Sequence, residues 1–197
     1  MQLPLPAGPF RAYIFDCDGT VVDSMPLHYR AWKAALAEWN CDFPEDLFYS
    51  WGGKPVSNII ADLNKMHGLN MPVESLATRK EALYLAQLPS LKVIPEVVEH
   101  INGQYGRIPF AVASGSRGDS VICSLTTVGL LDKFDAIVCA GDYQHPKPAP
   151  DCFLLAANRL GVAPKDCLVF EDTLLGIQAA TAAGMASVLV PFIMHRK

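Results

Sequence analysis

The stretch FDCDGTVVDS, Phe15–Ser24, begins at the end of the first of five similar apolar runs. The five runs together decide the fold. Each run is almost continuously apolar instead of alternating with polar residues. Continuous runs of this length are typical of strands buried on both faces, as in a parallel sheet. The five predicted strands are Ala12–Asp16, Ile108–Ser114, Asp135–Ala140, Cys167–Glu171 and Ala186–Val190.

Helical patterns lie between several of these strands and end at or near a glycine, which often terminates a helix. They are Ser116–Gly129, Pro148–Gly161 and Leu174–Gly184. Strand–helix alternation predicts the α/β class, here a Rossmann-like parallel sheet with helices on both faces.

One segment breaks the alternation. Residues 24–91 contain no convincing strand, and three helical patterns occupy residues 26–40, 57–68 and 73–88. Serine and proline at both ends of the segment suit hinges. We therefore predict an inserted α-helical domain of residues 24–91, with an α/β core domain formed by residues 1–23 and 92–197.

Composition excludes several classes of protein. The 197 residues are 51% hydrophobic and 18% charged, with a formal net charge of −4. This acidic balance gives no reason to expect nucleic acid or a membrane surface as partner. No apolar stretch reaches the length of a membrane-spanning helix, and the amino-terminal residues do not resemble a signal peptide. We expect a cytoplasmic monomer.

Polar residues follow four of the predicted strands. Ligands of an open α/β sheet bind beyond the carboxyl ends of its strands, so these side chains are expected to converge there. They are Asp16, Asp18, Ser114, Lys147, Glu171 and Asp172.

Such a cluster suits phosphoryl chemistry. Close carboxylates raise one another's pKa unless a cation lies among them, and oxygen ligands select Mg²⁺. Lys147 suits a phosphate oxygen, and the backbone at Ser114-Gly115 precedes a helix whose amino terminus favours anions. A carboxylate beside a metal-bound phosphoryl group can act as its nucleophile.

Four motifs in order carry a family resemblance over Tyr13–Val190: FDCDGTVVDS, the serine of VASGS, the lysine of HPKPAPD, and FEDTLLGIQAA. With them the chain resembles the haloacid dehalogenase superfamily, in its β-phosphoglucomutase-like subgroup. The resemblance implies a magnesium-dependent phosphotransferase, because dehalogenases of the family lack the second aspartate, Asp18. It also implies that the helical insertion is a mobile cap.

The resemblance implies roles for the clustered residues. Asp16 is expected to be the nucleophile and a metal ligand. Asp18 is expected to be the general acid and base, and to bind the metal through its backbone carbonyl. Asp172 and Glu171 complete the expected metal site. Ser114 and Lys147 are expected to hold the phosphoryl oxygens. Further expected substrate-binding residues are Thr20, Gly115, Ser116, His28, Gly53 and Lys54.

Three functions stay open at this point. The sequence most resembles small bacterial fructose-1-phosphate phosphatases, which favours hydrolysis of a small phosphorylated metabolite. A β-phosphoglucomutase-type mutase uses the same intermediate but carries an arginine for a second phosphate, where this chain offers only Lys54. The third reading is a non-catalytic binding protein, which the retention of Asp16 and Lys147 disfavours.

Overall fold

The computed structural model describes residues 3–191, so the outermost residues of the predicted core, 1–2 and 192–197, lie outside the described part. Five parallel strands form one sheet in the order β3-β2-β1-β4-β5. The strands are β1 (Ala12–Phe15), β2 (Phe110–Arg117), β3 (Ala136–Ala140), β4 (Cys167–Glu171) and β5 (Ala186–Leu189). This arrangement confirms the predicted fold class.

Eight α-helices occur within residues 3–191. Those between β1 and β2 are α1 (Met25–Leu36), α2 (Glu45–Ser50), α3 (Val56–His67), α4 (Val73–Leu85) and α5 (Pro95–Gln104). Those that follow β2 are α6 (Gly118–Thr127), α7 (Asp151–Leu160) and α8 (Leu174–Ala182). In this part of the chain no helix combines the length and apolarity needed to cross a membrane.

Both faces of the sheet are buried, as continuous apolar strands require. Side chains alternate along β1, so Tyr13 and Phe15 join one apolar cluster whereas Ile14 joins another on the opposite face. Phe15 stacks on Phe170 of β4 with ring centroids 4.7 Å apart. Burial of each such ring contributes about 1.5–3 kcal/mol. Helices α5 and α6 cover this aromatic face, and α7 and α8 cover the other.

Helices α1–α4 enclose an apolar cluster of their own, whose largest members include Trp32, Phe48 and Leu63. Helices α1 and α4 also present a second face, because Leu27 and Tyr84 belong to the aromatic cluster of the sheet. The division of the chain into a core at 1–23 and 92–197 and a cap at 24–91 stays a prediction.

The chain enters and leaves this helical segment at one place. Val22 and Val93 form an antiparallel bridge, and the backbone N–H of Asp23 donates to the carbonyl of Lys92 at 2.8 Å. The two connections therefore run side by side at the carboxyl end of β1.

Candidate active site

A tight turn after β1 places Asp16 and Asp18 at the edge of the sheet. The carbonyl of Cys17 accepts hydrogen bonds from the backbone of Thr20, Val21 and Val22 at 3.0–3.3 Å. Gly19 lies in this turn at φ 82°, where a side chain would collide with the carboxylate of Asp172. A glycine is needed here for both reasons.

Lys147 links the first and last motifs. Its ammonium donates to Asp16 Oδ1 at 2.7 Å, to the carbonyl of Ala113 at 3.1 Å and to Glu171 Oε1 at 3.5 Å. The lysine is almost fully buried. Burial opposes its charge, but Asp16 and Glu171 outweigh that effect and raise the pKa of Lys147. A charged lysine therefore faces the predicted nucleophile.

Three carboxylates form a group that fits a divalent metal. One oxygen of each of Asp16, Glu171 and Asp172 lies within 4.8 Å of the others. Burial raises the pKa of Asp16 and of Asp172, and the charge of Glu171 raises both further. A cation among these oxygens would remove that penalty, and an all-carboxylate donor set suits Mg²⁺.

Glu171 is held by the start of α8. Its carboxylate accepts hydrogen bonds from the Thr173 hydroxyl at 2.6 Å and from the backbone of Asp172 and Thr173 at 2.8 and 3.2 Å. A side chain at Gly176 would overlap this carboxylate. The motif FEDTLLGIQAA thus contains both the Glu171 carboxylate and the glycine, Gly176, that leaves room for it.

Asp18 receives three side-chain hydrogen bonds. Ser24 and His28 donate to one carboxylate oxygen at 2.6 and 3.1 Å, and Ser116 donates to the other at 2.6 Å. Burial works against ionisation, but His28, Ser116 and Ser24 together hold the pKa of Asp18 well below its usual range. The anion is the stable form in this arrangement.

The hydrogen bonds of His28 fix its tautomer. The ammonium of Lys80 lies 2.9 Å from Nδ1, so Nδ1 accepts and Nε2–H donates to Asp18. Burial, with the charge of Lys80, lowers the pKa of His28, which agrees with a neutral ring. The ring stacks on Tyr84 at 3.8 Å between centroids.

Lys80 is a buried site residue that sequence reasoning missed. Its ammonium also contacts Glu81 Oε2 at 3.2 Å, and Glu81 accepts a hydrogen bond from Ser120 of α6. Glu81 therefore connects α4 to α6, and Lys80 connects α4 to His28. No sequence signal distinguishes them from the exposed charges common on helices.

A cavity of about 310 Å³ lies between the sheet edge and helices α1 and α3. Its sheet side contains most of the predicted polar site. The side formed by the helical segment is largely apolar, with Met25, Trp32, Phe48, Trp51 and Ile59. Such a cavity suits a small molecule that has one charged end.

The loop between α2 and α3 closes one side of the cavity. A side chain at Gly52 would lie 3.3 Å from Thr173 Cγ2, and one at Gly53 would lie 3.4 Å from Thr173 Oγ1. Gly53 also has φ 80°, which favours glycine. The loop therefore lies directly against the start of α8.

Nearly all predicted site residues line this cavity. Those that line it are Asp16, Asp18, His28, Gly53, Lys54, Ser114, Gly115, Ser116, Lys147, Glu171 and Asp172. Thr20 is the exception: it is fully buried, does not line the cavity, and donates its hydroxyl to Asp172 Oδ1 at 3.1 Å. Thr20 therefore contacts a carboxylate and is too buried to contact a substrate in the cavity.

Comparison with known proteins identifies the family. The model of haloacid dehalogenase-like hydrolases matches residues 10–184, and the chain belongs to this family. Fructose-1-phosphate phosphatase YqaB of Escherichia coli (strain K12) is 38% identical over 180 residues, which cover 91% of this chain and 95% of that protein.

Two further similarities concern sugar phosphates. Phosphorylated carbohydrates phosphatase of Thermotoga maritima is 28% identical over 178 residues, covering 88% of this chain and 82% of that protein. The crystal structure of β-phosphoglucomutase from Clostridium difficile has a TM-score of 0.84 at 26% identity, covering 93% of this chain and 86% of that one. The family and its named phosphatases support a phosphatase enzyme.

Proposed function

We propose that the protein is a Mg²⁺-dependent phosphatase that hydrolyses a small sugar phosphate similar to fructose 1-phosphate, through a phosphoryl group carried on Asp16. The observation that carries this proposal is the convergence of Asp16, Lys147 and the two carboxylates of Glu171 and Asp172 in one cavity. The 38% identity to a fructose-1-phosphate phosphatase supports the substrate.

In the first step Asp16 attacks the phosphorus atom and the sugar oxygen leaves with a proton from Asp18. Ser114 and Lys147 bind the phosphoryl oxygens, where the lysine offsets developing negative charge. Bound Mg²⁺ would neutralise the phosphoryl group and keep Asp16 ionised. The protonated form that Asp18 needs here is not the form that its three hydrogen-bond donors favour.

In the second step Asp18 takes a proton from water, which attacks the phosphorus atom; the bond between phosphorus and the Asp16 oxygen breaks, inorganic phosphate leaves and the Asp16 carboxylate is restored. The anionic form of Asp18 suits this step, because Ser24, His28 and Ser116 all donate to its oxygens. His28 keeps the carboxylate oriented, and Lys80 keeps Nε2 of His28 protonated. A general base held this way contributes about 10²–10⁴-fold to the rate.

The helical segment serves as the cap in this proposal. Gly52 and Gly53 lie against Thr173, so the loop that carries them meets the sheet domain beside the metal-binding carboxylates. Closure excludes bulk water while the sugar phosphate reacts. Movement of this loop would then release the products.

A phosphosugar mutase is the second candidate, because a solved β-phosphoglucomutase shares the fold and 26% of the sequence. A mutase must retain a bisphosphate, so it needs a cation for the second phosphate. Among residues 3–191 no arginine lines the cavity, and the lysines that do, Lys54, Lys80 and Lys147, are each paired with a carboxylate. This difference favours hydrolysis.

Phosphate release from a panel of sugar phosphates tests the proposal. The panel contains fructose 1-phosphate, glucose 6-phosphate, 2-deoxyglucose 6-phosphate and β-glucose 1-phosphate, each with Mg²⁺ and with EDTA. We expect release with Mg²⁺ alone, and fructose 1-phosphate among the better substrates. Conversion of β-glucose 1-phosphate to glucose 6-phosphate with a bisphosphate primer, without release, would establish the mutase instead. The cytoplasmic location and monomeric state stay predictions.

A further inference from the structure

Three lysines line the cavity, and each has an acidic partner. Lys147 contacts Asp16 and Glu171, and Lys80 contacts Glu81. Lys54 forms an ion pair with Asp62 of α3. The first two lysines are almost fully buried and serve groups already described, so Lys54 is the cavity lysine on the loop opposite the phosphoryl site.

The ammonium of Lys54 is held from two directions. Asp62 binds it from the second turn of α3, and the ring of Trp51 lies under it at 4.1 Å from the ring centroid. Trp51 itself lines the cavity, whereas Asp62 does not. The charge of Lys54 is therefore compensated by Asp62, a partly exposed carboxylate outside the cavity lining, and the ring of Trp51 lies beside the ammonium.

We propose that Asp62 determines specificity by neutralising Lys54, so that the cavity accepts sugar monophosphates and discriminates against substrates with a second phosphate. This inference rests on the proposed function and makes its substrate class narrower. A second phosphate at this end would have to compete with Asp62 for the ammonium and would meet the carboxylate's repulsion. The walls at Trp32, Phe48 and Ile59 are apolar, and the ammonium of Lys80 beside them is already paired with Glu81 and His28.

The pairing also explains how a cation is compatible with a monophosphatase. An unpaired lysine at the cavity mouth would attract any polyanion, since charged groups choose partners as much by repulsion as by attraction. Lys54 can form its cation–π contact with Trp51 while Asp62 still neutralises its charge. Lys54 therefore holds Trp51 in place in the loop and does not bind a second phosphate.

The test compares wild type with Asp62→Asn, which keeps the shape of the side chain and removes its charge. Initial rates of phosphate release are measured for fructose 1-phosphate and fructose 1,6-bisphosphate, and the ratio of the two kcat/KM values is the readout. We expect the ratio to shift about two- to fivefold toward the bisphosphate, because the Lys54–Asp62 pair is partly exposed and solvent screens it.

Two further variants make the result specific. Glu38→Gln removes a carboxylate that pairs with Arg79 on the exposed surface of the same helical segment, and neither residue lines the cavity. It should leave the ratio unchanged. Lys54→Met combined with Asp62→Asn should return the ratio to the wild-type value. Circular dichroism melts verify that every variant is folded.

A second arm separates this inference from the proposed function. Fructose 1,6-bisphosphate is used as a competitive inhibitor of p-nitrophenyl phosphate hydrolysis, and Asp62→Asn should lower its inhibition constant about two- to fivefold. If wild type hydrolyses p-nitrophenyl phosphate but no sugar phosphate, the proposed substrate fails and this arm alone decides the role of Asp62. An unchanged ratio and inhibition constant in folded Asp62→Asn would overturn the inference.

Discussion

Gly176→Ala tests how the motif after β4 holds its carboxylate. Alanine in a helix is normally about 1 kcal/mol more favourable than glycine. At this third position of α8 the added methyl would overlap the carboxylate of Glu171, which must move. Movement gives up two of its three hydrogen bonds from Thr173 and Asp172, at about 1.5–3 kcal/mol each.

The lost hydrogen bonds outweigh the helix preference of alanine, so Gly176→Ala should lower the free energy of unfolding by about 2–5 kcal/mol. Urea denaturation followed by circular dichroism measures this loss, and phosphate release with Mg²⁺ measures how far the displacement of Glu171, a proposed metal ligand, lowers activity. We expect at least about a tenfold loss of kcat/KM, the equivalent of about 1.4 kcal/mol.

Gly103→Ala is the matched control. Gly103 lies in α5, and a side chain there would have no neighbour within 4 Å. It should gain about 0.5–1 kcal/mol in stability and keep full activity. The reasoning is refuted if Gly176→Ala is as stable as Gly103→Ala and releases phosphate at the wild-type rate.

Three other substitutions have defined outcomes. Asp16→Asn should lower kcat by at least about 10³-fold while circular dichroism shows an intact fold; substantial phosphate release would contradict the nucleophile assignment. Lys147→Ala leaves Asp16 and Glu171 without their buried cation and should lower the free energy of unfolding by about 3–5 kcal/mol. Added Mg²⁺ should restore part of this stability in thermal melts. Tyr84→Phe removes a hydroxyl 2.8 Å from Ser124 Oγ and should lose about 1 kcal/mol in urea denaturation; no change would mean that this contact does not stabilise the fold.

The sheet could be predicted from the sequence because its strands are buried on both faces. All five predicted runs are strands, with ends that differ by a few residues. β2 extends past Ser114 to Arg117, since Arg117 pairs with Ala140 across a shift in register. Such an extension depends on the neighbouring strand, which the local sequence does not describe.

Two short helices were missed. α2 and α5 each begin at a proline or directly after one, with acidic residues in the first turn. Those signals were present at Pro44 and Pro95. The six residues of α2 are too few for a clear apolar period, whereas α5 has ten residues, as many as α6 and α7, and was within reach of the same reasoning. α1, α3 and α4 are longer and were predicted from their apolar faces.

The site residues, like the helices, could be predicted only in part from the sequence. Motif residues such as Asp16 and Lys147 were predicted because they follow buried strands, and the carboxyl ends of parallel strands share one edge. Lys80 and Asp62 were not, because each acts through a partner on another turn or another helix. Thr20 was expected to bind substrate, but its buried hydroxyl donates to Asp172 instead.

The antiparallel bridge between Val22 and Val93 makes the helical segment modular. Both crossings leave the sheet domain side by side, so an inserted unit needs only two neighbouring attachment points, whatever its length. Substrate recognition can then diverge by exchange or remodelling of the insertion, while the hydrogen bonds that aim Asp16 and Lys147 stay within the sheet domain. A family built this way can acquire new substrates and keep Asp16 and Lys147 in place, as long as the insertion still presents groups such as Ser24 and His28 to Asp18.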